Sequence, residues 1–153
     1  MGEAQPGVAG ASGDAPASAR TEAAAVRRML EARSVALVGA SPRPGSLASR
    51  ALAELERSPA RPDVVLVNPR HASIGSRRCV ASLAEVRDPV DLVLLAVPDR
   101  ALEDQLRLAA ARGDASAVIF GAAGDAAQRE RLGAIARGAG MALCGAGCMG
   151  FVN

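Results

Sequence analysis

The chain has 153 residues, half of them apolar, and a formal net charge of +2, which is enough for one ordinary α/β domain and no more. It contains no Trp, no Tyr and only Phe120 and Phe151, so the core must be built from Ala, Val, Leu and Ile, and no aromatic platform is present for stacking nucleic-acid bases. All 18 basic residues are arginine and they are scattered, which excludes Schiff-base, P-loop and general-base lysine chemistry and argues against a nucleic-acid partner.

No apolar run approaches the roughly 18 residues of a membrane span, and the N-terminus lacks a basic region followed by an apolar stretch. A cytoplasmic chain with no membrane partner is therefore expected. The cysteines, Cys79, Cys144 and Cys148, are odd in number, which argues against a disulfide framework. With His71 as the single histidine they lack the C-x-x-C pair or second His of a zinc site, and no metal is expected.

Residues 1 to 20 are Ala, Gly, Pro and Ser without periodicity and read as a disordered leader; residues 21–153 read as one domain. Thr21 can cap a short helix from Glu22 to Ala32 with Val26, Met29 and Leu30 on its apolar face. Strands are predicted at Ser34–Val38, Asp63–Val67, Asp91–Val97, Ala117–Phe120 and Met141–Cys144, the second stopped by Asn68-Pro69 and the third by Pro98. Between them, a helix is predicted over Ser46–Arg57 with Leu47, Ala51, Leu52 and Leu55 inward. A second is capped by Asp99, carries Leu102, Leu106 and Ala109 or Ala110 on one face, and ends at Gly113. Asp125 caps a third, with Gln128 at capping-box spacing and Leu132 and Ile135 facing in; Gly138 and Gly140 close it.

Continuous apolar strands alternating with amphipathic helices imply a doubly wound, Rossmann-like α/β domain. Its mostly parallel sheet has about five strands with helices on both faces. The chain stops at Phe151-Val152-Asn153, directly after the last strand, and reads as the N-terminal part of a longer protein.

In such a sheet ligands bind at the carboxyl ends of the strands. The loop after the first strand, Gly39 to Ser46, places Ser41, Ser46 and backbone N–H groups at a helix N-terminus, a setting that favours an anion. Pro42 and Pro44 stiffen this loop and remove two donors, and it lacks the G-x-G-x-x-G of a dinucleotide binder. After the second strand, Asn68-Pro69-Arg70 stands where an NAD-binding domain has an acidic residue for the ribose hydroxyls. Arg70 suits a phosphate on the ribose, as in NADP or coenzyme A, through charge-assisted hydrogen bonds; a solvated turn arginine is the other reading. His71 has no carboxylate near it in sequence to orient the ring, so a structural or ligand-edge role is favoured over catalysis. Composition and spacing lead to a nucleotide-binding α/β domain whose ligand carries a ribose phosphate.

Taken together, "SVALVGAS" with "PGSL" (34–41 and 44–47), "VNPRH" (67–71), "IGSRRCVASLAEV" (74–86), "VDLVLLAVP" (90–98) and "GMALCGAGCMGFVN" (140–153) resemble a known family. It is the N-terminal CoA-binding domain of NDP-forming acyl-CoA synthetases, which are relatives of the succinyl-CoA synthetase α subunit and include the ADP-forming acetate–CoA ligases. The resemblance covers residues 25 to 153 and implies coenzyme A or an acyl-CoA as ligand. It implies that the Gly39 loop, with Ser41, Pro42, Gly45, Ser46 and Leu47, contacts the nucleotide and pyrophosphate. Asn68, Pro69 and Arg70 would hold the adenosine side, and Val97 and Pro98 would line the adenine or pantetheine path. The 121–124 loop, with Gly121 and Ala122, and the 145–148 loop, with Cys148, would approach the thiol end.

The departures from the family pattern cluster. Ala48 replaces a usual Gly, Gly121-Ala122-Ala123-Gly124 replaces a usual Ser-Ala-Gly-Phe, and Gly145-Ala146-Gly147-Cys148 replaces a usual Gly-Pro-Asn-Cys. In those synthetases the phosphorylated histidine and an ATP-grasp module lie in further domains, which do not fit in 153 residues. The resemblance thus implies a ligand-binding part of an acid–thiol ligase that needs ligase or ATP-grasp domains as partners and does not complete the reaction alone. The alternatives are a regulatory CoA-sensing module of an acetyltransferase-type protein and an NADP-binding redox domain.

Overall fold

The structure, a computed structural model, describes residues 17–147. The five apolar runs form strands β1 (Ser34–Val38), β2 (Asp63–Val67), β5 (Leu92–Leu95), β6 (Ser116–Ile119) and β7 (Ala142–Cys144). Two further short strands, β3 (Ser73–Ile74) and β4 (Arg77–Val80), complete a sheet of order β3-β4-β2-β1-β5-β6-β7. Every neighbouring pair is parallel except the β3–β4 hairpin. From β1 the chain winds outward through β2 to β4, then returns to the other side of β1 for β5, β6 and β7. The reversal between β1 and β5 is a topological switch point, where doubly wound sheets bind ligands.

The strands read as continuous apolar runs because both faces are covered. Val35 and Leu37, with Leu66, Leu94 and Val118, pack towards α1 (Ala17–Leu30) and α2 (Leu47–Arg57), meeting Met29, Leu52 and Leu55. The alternate residues Ala36 and Val38, with Val93, Leu95 and Ile119, pack towards α3 (Asp99–Arg112) and α4 (Ala126–Gly138), meeting Leu102, Leu106 and Leu132. The period-2 alternation of a strand thus divides one set of residues between two cores.

Several local expectations are corrected. The sequence reading missed β3 and β4, because β4 carries Arg77 and Arg78 and buries only Cys79. Gly75 supplies the positive φ (+58°) of their turn. Helix α1 begins at Ala17, inside the expected leader and ahead of Thr21, which lies within the helix. On its apolar face only Met29 is buried, while Val26 and Leu30 are exposed. In α2 the Ser46 hydroxyl caps by accepting from Ser49 N (3.1 Å), and Ala48 is buried in place of the exposed Leu47. Pro98, not Asp99, occupies the cap of α3. Asp125 does cap α4 by accepting from Gln128 N (2.7 Å), but the Gln128 amide reaches away to the Asp99 carbonyl (2.7 Å), so the reciprocal half of the capping box is absent.

The amino ends of the strands are closed by two carboxylates. Asp91 accepts from Arg33 N (2.9 Å), Ser34 N (3.0 Å) and the Ser34 hydroxyl (3.0 Å), tying the start of β5 to the start of β1. These backbone N–H donors, foremost that of Arg33, hold its carboxyl below the usual aspartate range. Asp114, with its side chain fully buried, accepts from Val90 N (2.8 Å) and pairs with Arg112 at 3.3 Å. Arg112 in turn donates to the carbonyls of Val86 and Asp88.

Candidate functional site

The carboxyl ends of β1, β2, β4 and β5 open onto a cavity of about 440 Å³ beside the switch point. Gly39 forms its floor at the end of β1. With φ +86° and an added Cβ only 2.3 Å from the Ala96 carbonyl oxygen, that position admits no side chain. The N–H groups of Gly39 and Ala40 donate to Val67 O (3.0 and 3.3 Å), which welds the loop to β2.

Asn68 joins three strand ends. Its Nδ2 donates to Ala40 O (2.6 Å), its Oδ1 accepts from Arg70 N (2.7 Å) and its own N–H donates to Val80 O (2.9 Å). An Asx turn of this kind holds the backbone of Arg70 in place. Pro69, Arg70 and His71 then line one side of the cavity, and Val97 and Pro98 line another.

Of the residues singled out from sequence, Gly39, Ser41, Asn68, Pro69, Arg70, Val97 and Pro98 come together here. Pro42, Gly45, Ser46 and Leu47 belong to the same loop but lie outside the cavity lining. The Ser41 and Ser46 hydroxyls are both engaged, Ser41 accepting from Arg43 N (3.2 Å) within the loop and Ser46 from Ser49 N (3.1 Å) in the first turn of α2. Gly121 and Ala122 sit at the end of β6, also outside the lining, and Cys148 lies outside the described residues.

The lining also includes Ala81 and Ser82 after β4, and Arg100, Ala101 and Gln105 on α3. The first two follow a strand the sequence pattern hides. The others carried a signal: Ala101 and Gln105 are four residues apart on one face of a helix that starts at a strand's carboxyl end.

The charges of the cavity have one sign. Arg70 and Arg100 both line it, His71 lies between the strand ends, and no Asp or Glu is in the lining. Among the described residues neither guanidinium has an ion-pair partner. Two unpaired guanidiniums facing one concavity suit a ligand with more than one anionic group.

His71 lies in the loop after β2 while Cys144 ends β7, and those two strands are four places apart in the sheet. Among the described residues no group of three His, Cys, Asp or Glu side chains is placed to hold a metal ion. Cys79 is buried in β4, and burial pushes its thiol up, away from the thiolate form. No helix among the described residues is long and apolar enough to cross a membrane.

A family profile described as a CoA binding domain matches residues 33–153. The chain is 32% identical over 134 residues to a trans-feruloyl-CoA synthase from an unknown prokaryotic organism, covering 84% of this chain and 19% of the synthase. It is 26% identical over 125 residues to the ADP-forming acetate–CoA ligase of Methanocaldococcus jannaschii, covering 79% of this chain and 18% of the ligase. It thus spans about a fifth of the length of these curated relatives. Among solved structures, an acetyl-coenzyme A synthetase from Ca. Korarchaeum cryptofilum shares the fold with a TM-score of 0.71 at 24% identity, over 77% of this chain and 27% of that one. A hypothetical protein from Pyrococcus horikoshii OT3 shares it with a TM-score of 0.69 at 23% identity, over 97% of this chain and 94% of that one.

Proposed function

The chain belongs to the CoA binding domain family, and from that premise we propose that it binds coenzyme A or an acyl-CoA with the nucleotide in the cavity beside β1 and β5. The observation that carries this reading is the pair of unpartnered arginines, Arg70 and Arg100, in a cavity without a carboxylate. Coenzyme A carries a phosphate on its ribose and a pyrophosphate, so two separated guanidiniums meet two separated anionic groups. Arg70, held by the Asn68 turn at the end of β2, takes the ribose phosphate; Arg100, in the first turn of α3, takes the pyrophosphate. Gly39 permits the close approach between the ends of β1 and β5 that shapes the floor.

In the wider reading this domain presents the CoA thiol to an acyl phosphate formed from carboxylate and ATP on partner domains of an acid–thiol ligase. The CoA synthase and ligase names of the relatives support it. A CoA-responsive module acting without such domains is the second reading. It is favoured by the fold making up nearly the whole of the Pyrococcus horikoshii chain.

Calorimetry with coenzyme A, dephospho-CoA and NADPH tests the proposal. Coenzyme A should bind, and Arg70→Ala should weaken it about tenfold, ~1.4 kcal/mol, while leaving dephospho-CoA within twofold. Binding of NADPH without coenzyme A overturns the reading; equal weakening of both CoA forms overturns the role of Arg70.

A further inference from the structure

The loop after β6 is held from outside by a residue that the sequence presents as a helix cap. Asp99 sits in the first turn of α3, between the cavity-lining Pro98 and Arg100. Its carboxylate accepts from Gly124 N (2.9 Å) and from Ala123 N (3.3 Å). Its carbonyl accepts from the Gln128 amide (2.7 Å), the side chain freed from the capping box of α4. Ala123 is fully buried yet has φ +54°, a left-handed conformation that costs a residue with a Cβ and persists only where surroundings enforce it.

Gly121 completes the fit. A Cβ there would lie 2.8 Å from the Asp99 carboxylate oxygen. A side chain at 121 would therefore have to push the Asp99 carboxylate off its N–H partners at Ala123 and Gly124. Gly121 in turn accepts from Gly147 N (2.6 Å), so the loops after β6 and β7 are fixed as one unit.

We propose that Asp99 is a positioning residue that shapes the Gly121–Gly124 loop to receive the pantetheine arm of the bound coenzyme. This rests on the coenzyme A reading above. With Arg70 and Arg100 lining the cavity, the nucleotide occupies it and the arm leaves along the strand ends. Towards β6 and β7, about 5 Å apart per strand, residues 121–124 and 145–147 carry nothing larger than a methyl group. That leaves a shallow path whose wall is backbone, and backbone keeps its place only if something fixes it. The Asp99 carboxylate does so through the N–H groups of Ala123 and Gly124.

The test is Asp99→Asn in the full chain, read in three ways. Amide hydrogen exchange at Ala123 and Gly124 should accelerate at least tenfold. Coenzyme A should bind about tenfold more weakly, and adenosine 3′,5′-bisphosphate, which lacks the arm, should bind within twofold of the wild type. Adding Gly121→Ala to the Asp99→Ala background should cost less than half of its effect on melting temperature in the wild type, because the clash partner has gone. Equal losses for coenzyme A and the bisphosphate, or unchanged binding of coenzyme A, overturn the inference. A wild-type protein that binds the bisphosphate as tightly as coenzyme A overturns it while leaving the cavity's nucleotide reading in place. A wild-type protein that binds neither overturns both.

Discussion

The two ends of the parallel sheet are finished in opposite ways. At the amino ends, Asp91 and Asp114 consume the backbone donors of neighbouring segments, and Arg112 is paired with a carboxylate whose side chain is fully buried. At the carboxyl ends, Arg70 and Arg100 face a cavity without a carboxylate, and the backbone is bent through positive φ at Gly39, Gly45, Ala123, Gly124, Gly145 and Gly147. The same strands thus carry paired polar groups at one end and solvent-facing guanidiniums without an ion-pair partner at the other. Closing one end stabilises the sheet, whereas the guanidiniums at the other end stay free to meet an anion. Substitutions should therefore separate into those that cost stability and those that cost affinity, and the separation can be broken experimentally.

The exception with the largest expected effect lies at the open end. Gly39→Ala would drive a Cβ to 2.3 Å from Ala96 O at φ +86°, so the ends of β1 and β5 must part. A loss of roughly 4 kcal/mol is expected in denaturant unfolding, at the exceptional end for a single substitution. A near-neutral Gly39→Ala would show that the β1–β5 contact is not fixed. Next comes Asp114→Ala, which orphans the Val90 N–H and leaves Arg112, only 12% exposed, without its carboxylate. About 3 kcal/mol should be lost, with coenzyme A affinity of the folded protein unchanged; a parallel loss of affinity would join the two ends that the comparison keeps apart.

How far the sequence discloses each end follows from the same physics. Strands β1, β5 and β6 were legible because burial on both faces writes a continuous apolar run, and β2 and β7, only partly buried, carry the same apolar composition. Strand β4 was not, since near the sheet edge it opens with two arginines, Arg77 and Arg78, and buries only Cys79. Its concealment also hid Ala81 and Ser82, the cavity residues that follow it. That Arg70 lines the cavity was legible because it directly follows the carboxyl end of the second strand, where such sheets open onto their clefts. Asp99 was misread for a physical reason: an aspartate after a strand-ending proline suits a helix cap. Its actual partners lie 24 and 25 residues away, a distance no local pattern reports.

At the open end, Arg100→Ala should weaken coenzyme A and dephospho-CoA alike by about tenfold, ~1.4 kcal/mol. Arg70→Ala, by contrast, distinguishes the two ligands. Neither substitution should move the melting temperature by more than about 2 °C, because both side chains are exposed and unpaired. A large loss of stability from Arg100→Ala would show that the cavity cations serve the fold rather than a ligand.

The smallest effect is the most specific to the closed end. Asp91→Asn keeps the shape of the side chain but removes the charge that three donors address, and about 1 kcal/mol should be lost at neutral pH. The native carboxyl is held below its ordinary value, foremost by the Arg33 N–H. Above the unfolded value of about 4 both states are ionised and the contribution is fully present. As pH falls below that value the unfolded chain takes up a proton first, and the contribution shrinks until the native carboxyl is protonated as well. The stability gap between wild type and Asp91→Asn should therefore be flat from pH 7 to about 5 and narrow towards pH 2. A gap that stays constant into acid would mean that the Asp91 knot works by shape alone, so that charge would distinguish only the open end of the sheet.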